Sequence, residues 1–312
     1  MKKPVLIVLG LLLLAVISTY FIIPQNISVT GISHIDATDA NVFKFIVKKK
    51  AWPKWWPGDH NPADSNLFAY NGMTYTLQNS TNSYIDVLIQ TDKLELNSRI
   101  TYLATGEGIS DVNWTAQKQS SLNPFARLAQ YIRIKQQGKD IDSLLAHFKT
   151  FIQTDSNVYG IKIKLEKVTD PILLASNTTS ATYPATPAIY NIIANLRQQI
   201  KIQGATETNK PMINISKTDD NEYQLMVAIP VNKLISPAKG AVINKMVDGA
   251  NLLATEVKGG RNTIDNAFVQ LKNYQKDHRL ISPAMPFELI ITDRLAEPDT
   301  TKWVTKVYWP VF

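Results

Sequence analysis

Apolar positions change period several times along this chain. Residues 5–23 form an almost unbroken apolar run, closed by Pro24. A helix of about 20 residues spans a bilayer core, so the run predicts a transmembrane anchor over residues 4–24. Alternation follows: Ile27, Val29 and Gly31, continued by Ile32 and Ile35, read as a strand. Asp36-Ala37-Thr38-Asp39 starts a helix capped by Thr38 or Asp39, with Phe43, Ile46 and Val47 at helical spacing. Residues 67–119 read as a strand meander, with β-branched and aromatic stretches at 68–77, 84–90, 94–104 and 112–116 separated by turn residues. Pro124 opens a long helical region whose apolar stripes run to Ile152, with Gly138 as its weak point. A sheet between these helices buries every apolar face only by wrapping the last one.

The second half repeats itself. After a short linker at 155–157, stretches 161–168 and 172–178 are strand-like. Thr186-Pro187 then starts a helix with Ile189, Ile192, Ile193, Leu196 and Ile200 on one stripe, and 212–216 and 223–230 follow as strands. A second unit has a strand at 252–257, a Gly259-Gly260 turn, a helix capped by Thr263, and strands at 287–292 and 303–309. Met226-Val227-Ala228-Ile229-Pro230-Val231 mirrors Lys306-Val307-Tyr308-Trp309-Pro310-Val311. The expected fold is α+β: an N-terminal transmembrane helix, a sheet domain gripping a helix over 27–154, and a pseudo-twofold strand–helix–strand–strand repeat over 158–312.

Composition narrows the function. The chain has 312 residues, 45% of them hydrophobic and 19% charged, with a net charge of +7. Apart from Lys48-Lys49-Lys50 the lysines are dispersed, whereas a nucleic-acid surface clusters them. The excess therefore reads as solvated surface first and membrane-surface attraction second, and no nucleic-acid partner is expected. There is no cysteine, which excludes disulfides, zinc thiolates and thiol nucleophiles. His34, His60, His147 and His278 lack metal-ligand spacing, and no phosphate loop, nucleophile elbow, dinucleotide fingerprint or helix-turn-helix segment is present. No metal and no cofactor is expected. Lys2 and Lys3 precede the apolar run, so the positive-inside rule puts the N-terminus in the cytoplasm and the body outside it, periplasmic in a bacterium. A cleaved signal peptide competes with the anchor, but small residues are missing where a cleavage site needs them.

Two resemblances sharpen these expectations. The opening strand, ATDANVFKFI, the WPKWWP loop and the closing helix together resemble the START-like superfamily, the helix-grip fold, over about 27–154. That implies a cavity between sheet and long helix, suited to hydrophobic ligands. The phrases GGRNTIDNAFVQL, PFELIITDR and TKVYWPV resemble the GyrI-like effector-binding domain, also found in AraC-type and multidrug-sensing regulators, over about 160–312. That implies two pseudo-symmetric units forming a concave pocket, with helices on the other side.

Strand alternation then assigns faces. It puts Phe287, Leu289 and Ile291 toward the helices and Glu288 and Ile290 into the cavity, with Lys306 and Tyr308 from the last strand and Gln224 and Met226 from the first unit. By resemblance Glu288 matches the family's pocket glutamate, which attracts cationic aromatic ligands. A carboxylate beside aromatic rings suits an organic cation, although an exposed glutamate on an open sheet face fits the sequence too. Lys306 stands where related sequences carry an acid, and it either pairs with Glu288 or reaches solvent. Trp52, Trp55 and Trp56 form either a plug closing a core or the aromatic wall of a cavity. The leading expectation is a membrane-anchored binding protein for small hydrophobic, amphipathic or cationic molecules. The alternatives are a hydrolase or cyclase with Glu288 as general base and Tyr308 assisting, and a protein-interaction module tethered to the bilayer.

Overall fold

Every second residue of β1 (Asn26–Ile35) is buried, as strict alternation requires of a strand with one face on a core. The computed structural model describes residues 2–92 and 94–312, and the chain falls into two compact units, Met1–Thr154 and Asp155–Phe312. Each is built on one antiparallel sheet with helices on it.

Unit 1 begins with helix α1 (Lys2–Ile22), then β1 and the short α2 (Asp39–Val42), whose first turn is capped by the Thr38 hydroxyl accepting from the Asn41 N–H. The strands are β2 (Leu67–Tyr70), β3 (Met73–Ser80), β4 (Tyr84–Thr91), β5 (Leu94–Gly106) and β6 (Ile109–Gln119). They form one sheet in the order β1-β6-β5-β4-β3-β2. Helix α3 (Pro124–Ile152) runs unbroken through Gly138, its N-terminus capped by the Asn123 side chain. At Gly138 α3 faces Val29 of β1, and a Cβ there would meet it at 3.5 Å, an ordinary contact. The closest approach is at Gly31, where a Cβ would stand 2.7 Å from Ile141 Cγ2 and 2.9 Å from Leu145 Cδ1. Gly31→Ala is therefore an overpacking change, expected to cost about 1–3 kcal/mol in urea unfolding.

The transmembrane anchor expected over 4–24 is overturned. Among the described residues, no helix is long and apolar enough to cross a membrane. The last turns of α1 carry Ser18, Thr19 and Tyr20, and Tyr20 is tied to the helical region beyond it: its hydroxyl donates to the Leu122 carbonyl at 2.5 Å and its ring lies under the Arg127 guanidinium. The single-pass membrane location falls with the anchor. The side chains of Lys2 and Lys3, which carried the expected orientation, lie outside what is described.

Unit 2 opens with the single turn α4 (Asp155–Tyr159) and continues with β7 (Lys164–Lys167), β8 (Ile172–Ser180), α5 (Thr186–Ile202), β9 (Met212–Lys217), β10 (Tyr223–Pro230), β11 (Val242–Lys245), β12 (Asn251–Lys258), α6 (Arg261–Asp277), β13 (Phe287–Ile290) and β14 (Val304–Val311). The sheet order is β11-β8-β10-β9-β13-β14-β12-β7. Its two halves match about the β9–β13 junction, where Ile213 pairs with Glu288 and Met212 with Leu289. Helix α5 covers one half through Ile189, Ile193, Leu196 and Ile200, and α6 covers the other through Ile264, Ala267 and Leu271. The opposite face carries a third apolar cluster, including Met212, Ala228, Phe287, Leu289 and Tyr308. α6 starts from Gly260 rather than from a Thr263 cap, after Gly259 at φ 144°, which lets the chain turn from β12 straight into the helix. Strand β11 had no separate signal in the sequence.

Candidate functional site

Cross-strand pairing decides which side chains share a face, because residues directly opposite one another project the same way. Phe287 pairs with Tyr308 and Leu289 with Lys306, whereas Glu288 pairs with Val307 on one side and Ile213 on the other. Val307 and Ile213 belong to the helix-covered clusters. The face assignment of β13 is therefore reversed: Phe287 and Leu289 look into the concave face, and Glu288 and Ile290 look toward the helices. On β14 and β10, Lys306, Tyr308, Met226 and Ala228 share the concave side.

Glu288 is 1% exposed and shared by two cations. Arg261, the first residue of α6, donates through Nη1 to its Oε1. Arg294 donates through Nη2 to its Oε2 at 2.9 Å, and the same nitrogen reaches the Thr305 hydroxyl at 3.0 Å. The Arg294 guanidinium lies 4.9 Å from the centre of the Trp303 ring, and the Arg294 backbone N–H donates to the Tyr190 hydroxyl at 2.6 Å. Arg261 also pairs with Asp265 one turn along and faces the Tyr183 ring at 5.3 Å. Burial works against the Arg261 charge, but Asp265 and Glu288 outweigh it and hold its pKa above the usual range. Burial among these groups pushes the Tyr183 phenol up to about 12. Two guanidiniums on one buried carboxylate leave no uncompensated negative charge for an organic cation.

Lys306 pairs elsewhere. Its Nζ donates to Glu166 Oε2 at 2.8 Å, and the Tyr308 hydroxyl donates to the same oxygen at 3.1 Å. Burial opposes the Lys306 charge, and the hydrogen bonds to Glu166 and Tyr308 reverse that and raise its pKa. The Tyr308 phenol is also raised, chiefly by burial. Its ring stacks on Phe287 with centroids 5.0 Å apart.

Beside this stack the concave face opens into a trough. Its apolar part has a volume of 270 Å³ and is lined by Met212, Met226, Met246, Met285 and Phe287, with Asn214 among them. The Asn214 amide donates to the Pro286 carbonyl at 2.7 Å, and Asn244 donates to the Met226 sulfur at 3.7 Å. A narrow polar recess continues past Met212, Met246 and Phe287 to Thr169, Asp170 and Tyr308. Burial tends to raise the Asp170 pKa, but hydrogen bonds from Thr208, Asn209 and Thr169 overcome it and lower it. Gln224 sits exposed on the same strand face, outside this lining.

In unit 1 the tryptophans are plugged into the core. Trp52, Trp55 and Trp56 are 0%, 5% and 7% exposed, and each indole N–H donates to a main-chain carbonyl: Ile46 at 2.7 Å, Phe45 at 2.9 Å and Ala69 at 3.0 Å. Trp52 meets Trp114 of the sheet at 6.4 Å, and Trp55 meets Phe148 of α3 at 4.9 Å. The space between sheet and helix there holds side chains. A surface groove of 360 Å³ remains beside α3, lined by Asn71, Met73, Arg133 and Gln136 among others, with the buried Gln137 amide donating to Tyr75 at 2.7 Å.

Among the described residues no group of histidine and carboxylate side chains is placed to hold a metal. No family model matches the chain, and no curated protein matches it. Solved structures are similar to parts of it. EcmrR in a complex with DNA is similar over 60% of this chain and 71% of its own, at 15% identity and a TM-score of 0.43. SAV2435 bound to tetraphenylphosphonium is similar over 49% of this chain and 94% of its own, at 13% identity and a TM-score of 0.33. A START superfamily protein from Mycobacterium smegmatis is similar over 40% of this chain and 97% of its own, at 11% identity and a TM-score of 0.31. These are likenesses alone. At such scores, function is read from this chain's own side chains.

Those side chains include several that periodicity had not singled out. Arg261 and Arg294 flank Glu288 in sequence, inside the phrases GGRNTIDNAFVQL and PFELIITDR, but nothing in their spacing announced a shared carboxylate. Glu166 comes from a four-residue strand more than a hundred residues before Lys306. Four of the chain's six methionines line the trough, and that clustering is visible only once the strands are paired.

Proposed function

We propose that unit 2 is a binding module for small hydrophobic or amphipathic molecules, taken up in the methionine-lined trough on the concave face of its sheet. The observation that carries this is a 270 Å³ apolar trough bordered by Met212, Met226, Met246, Met285 and Phe287, with a few fixed polar groups at its edge. Pockets for small ligands are mostly apolar with a small number of placed polar groups. Methionine suits such a lining because its unbranched, polarisable side chain adapts to different shapes.

Glu288 does not take part as a base or as a cation anchor. It lies on the other face of the sheet, with a guanidinium on each oxygen. The hydrolase or cyclase alternative would need as its general base a carboxylate that is 1% exposed and held by two cations on the face away from the trough.

Lipophilic ligands should raise the melting temperature of the full chain in a concentration-dependent way, as mass action requires. Met226→Trp fills the trough and should abolish that shift while the unliganded melting temperature stays within a few degrees. An undiminished shift in Met226→Trp would remove the trough as the site. The response to tetraphenylphosphonium separates a cation pocket from this one: Glu288→Gln should leave its binding unchanged.

A further inference from the structure

Tyr308, at the narrow recess, leads along the concave face to Lys306 and Glu166, a polar cluster just outside the linings of recess and trough. We infer that the cluster of Glu166, Lys306 and Tyr308 is a head-group site for an uncharged, hydroxyl-bearing amphiphile, whose apolar chain lies along the methionines. This rests on the trough being the ligand site, and it adds the class of ligand.

Three observations converge. First, all three groups project onto the concave face. Lys306 and Tyr308 pair with Leu289 and Phe287, and Glu166 pairs with Leu252, which belongs to the same apolar cluster. Second, Tyr308 joins the two regions. Its ring stacks on Phe287 at the trough, it borders the polar recess, and its hydroxyl reaches Glu166. Third, the hydrogen bonds are unevenly distributed. Both donors converge on Oε2 of Glu166, and among the described residues Oε1 accepts none. An open carboxylate oxygen is an acceptor for a hydroxyl, while the Lys306 ammonium retains donors for a hydroxyl or ether oxygen.

Charge then selects against ions. Glu166 is compensated by Lys306 at 2.8 Å, and the side chains are 29% and 27% exposed. Asp170 and Lys167 at the recess add one charge of each sign, as do the exposed Glu256 and Lys164, which pair with Lys306 and Ala254 on the same face, so these groups together sum to zero. Lys245 stands exposed on the rim, where solvent screens it. A cationic head would meet Lys306 and an anionic head would meet Glu166. An uncharged hydroxyl head keeps the ion pair intact and uses the open oxygen.

Three probes of equal chain length test this on the full-length protein: 1-O-dodecylglycerol, dodecanoate and dodecyltrimethylammonium, each titrated calorimetrically below its micelle concentration. Binding outside the trough is measured with Met226→Trp and subtracted. The wild type should prefer dodecylglycerol to either ion by about tenfold, the scale of one screened charge interaction. Glu166→Gln leaves Lys306 uncompensated and should move preference toward dodecanoate by about tenfold. Lys306→Met leaves Glu166 uncompensated and should move it toward dodecyltrimethylammonium by a similar factor. A merely structural role for the pair would weaken all three probes alike, and that result overturns the inference, as does an unchanged order of preference in both variants. If the wild type and Met226→Trp bind every probe equally, the trough itself is not the site, and the head-group assignment falls with it.

Discussion

Glu288→Ala will destabilise unit 2 by about 3–5 kcal/mol, because it strands one deeply buried guanidinium and one partly buried one. Arg294 has a side chain only 7% exposed, and its nearest charge partner is the carboxylate removed. For a domain of this size the loss corresponds to a fall of about 10 °C in melting temperature, measurable by calorimetry. Arg261→Gln should cost much less. Arg261 is 31% exposed, lies within reach of water, and leaves Arg294 on the carboxylate. A Glu288→Ala variant as stable as the wild type would mean that the two arginines relax into solvent without penalty, and the buried network would then carry no structural role. The asymmetry between the two substitutions separates a network that holds α6 to the sheet from a pair of incidental contacts.

Trp52→Ala will cost unit 1 about 3–5 kcal/mol, the range for deleting a buried aromatic side chain. Trp52 is fully buried, its ring lies 4.8 Å from Trp55 and 5.5 Å from Trp56, and its N–H satisfies the Ile46 carbonyl. The substitution leaves a cavity among rigid rings and orphans that carbonyl. Equilibrium urea unfolding followed by tryptophan fluorescence reads the effect, with ligand affinity of the unit 2 trough unchanged. Had these rings formed the wall of an open cavity, truncation would cost little and would enlarge a binding site.

The backbone of both units was largely legible in the alternation of the chain. The strand over 26–35, the meander, the long helix from Pro124 and the repeat phrases all register as local patterns of hydrophobicity and turn chemistry. The side-chain arrangement was legible only where a strand's neighbours were fixed. The faces of β10 and β14 follow from their own alternation, but β13 has only four residues, all buried, so alternation could not show which face was which. The connection from Ile290 to Val304 is too long to set a register, and a one-residue difference reverses every side chain. That is why Glu288 was expected in the cavity. The anchor expectation fails for a different reason: hydropathy counts residues and does not see that Tyr20 is tied to Leu122 and Arg127.

The ladder between β9 and β13 joins the two repeats through only two facing positions, fewer than any other ladder in that sheet. The bond from the Ile290 N–H to the Pro211 carbonyl and the clasp of Asn214 on Pro286 add to it. Met212 belongs to one repeat and Phe287 to the other, so a molecule held between them spans the joint like a staple. Tightness of binding and stiffness of the joint are then one free energy seen from two sides. The joint between the repeats is thus a crease as well as a wall, and a molecule bound across it would stiffen the sheet where its own pairing is shortest.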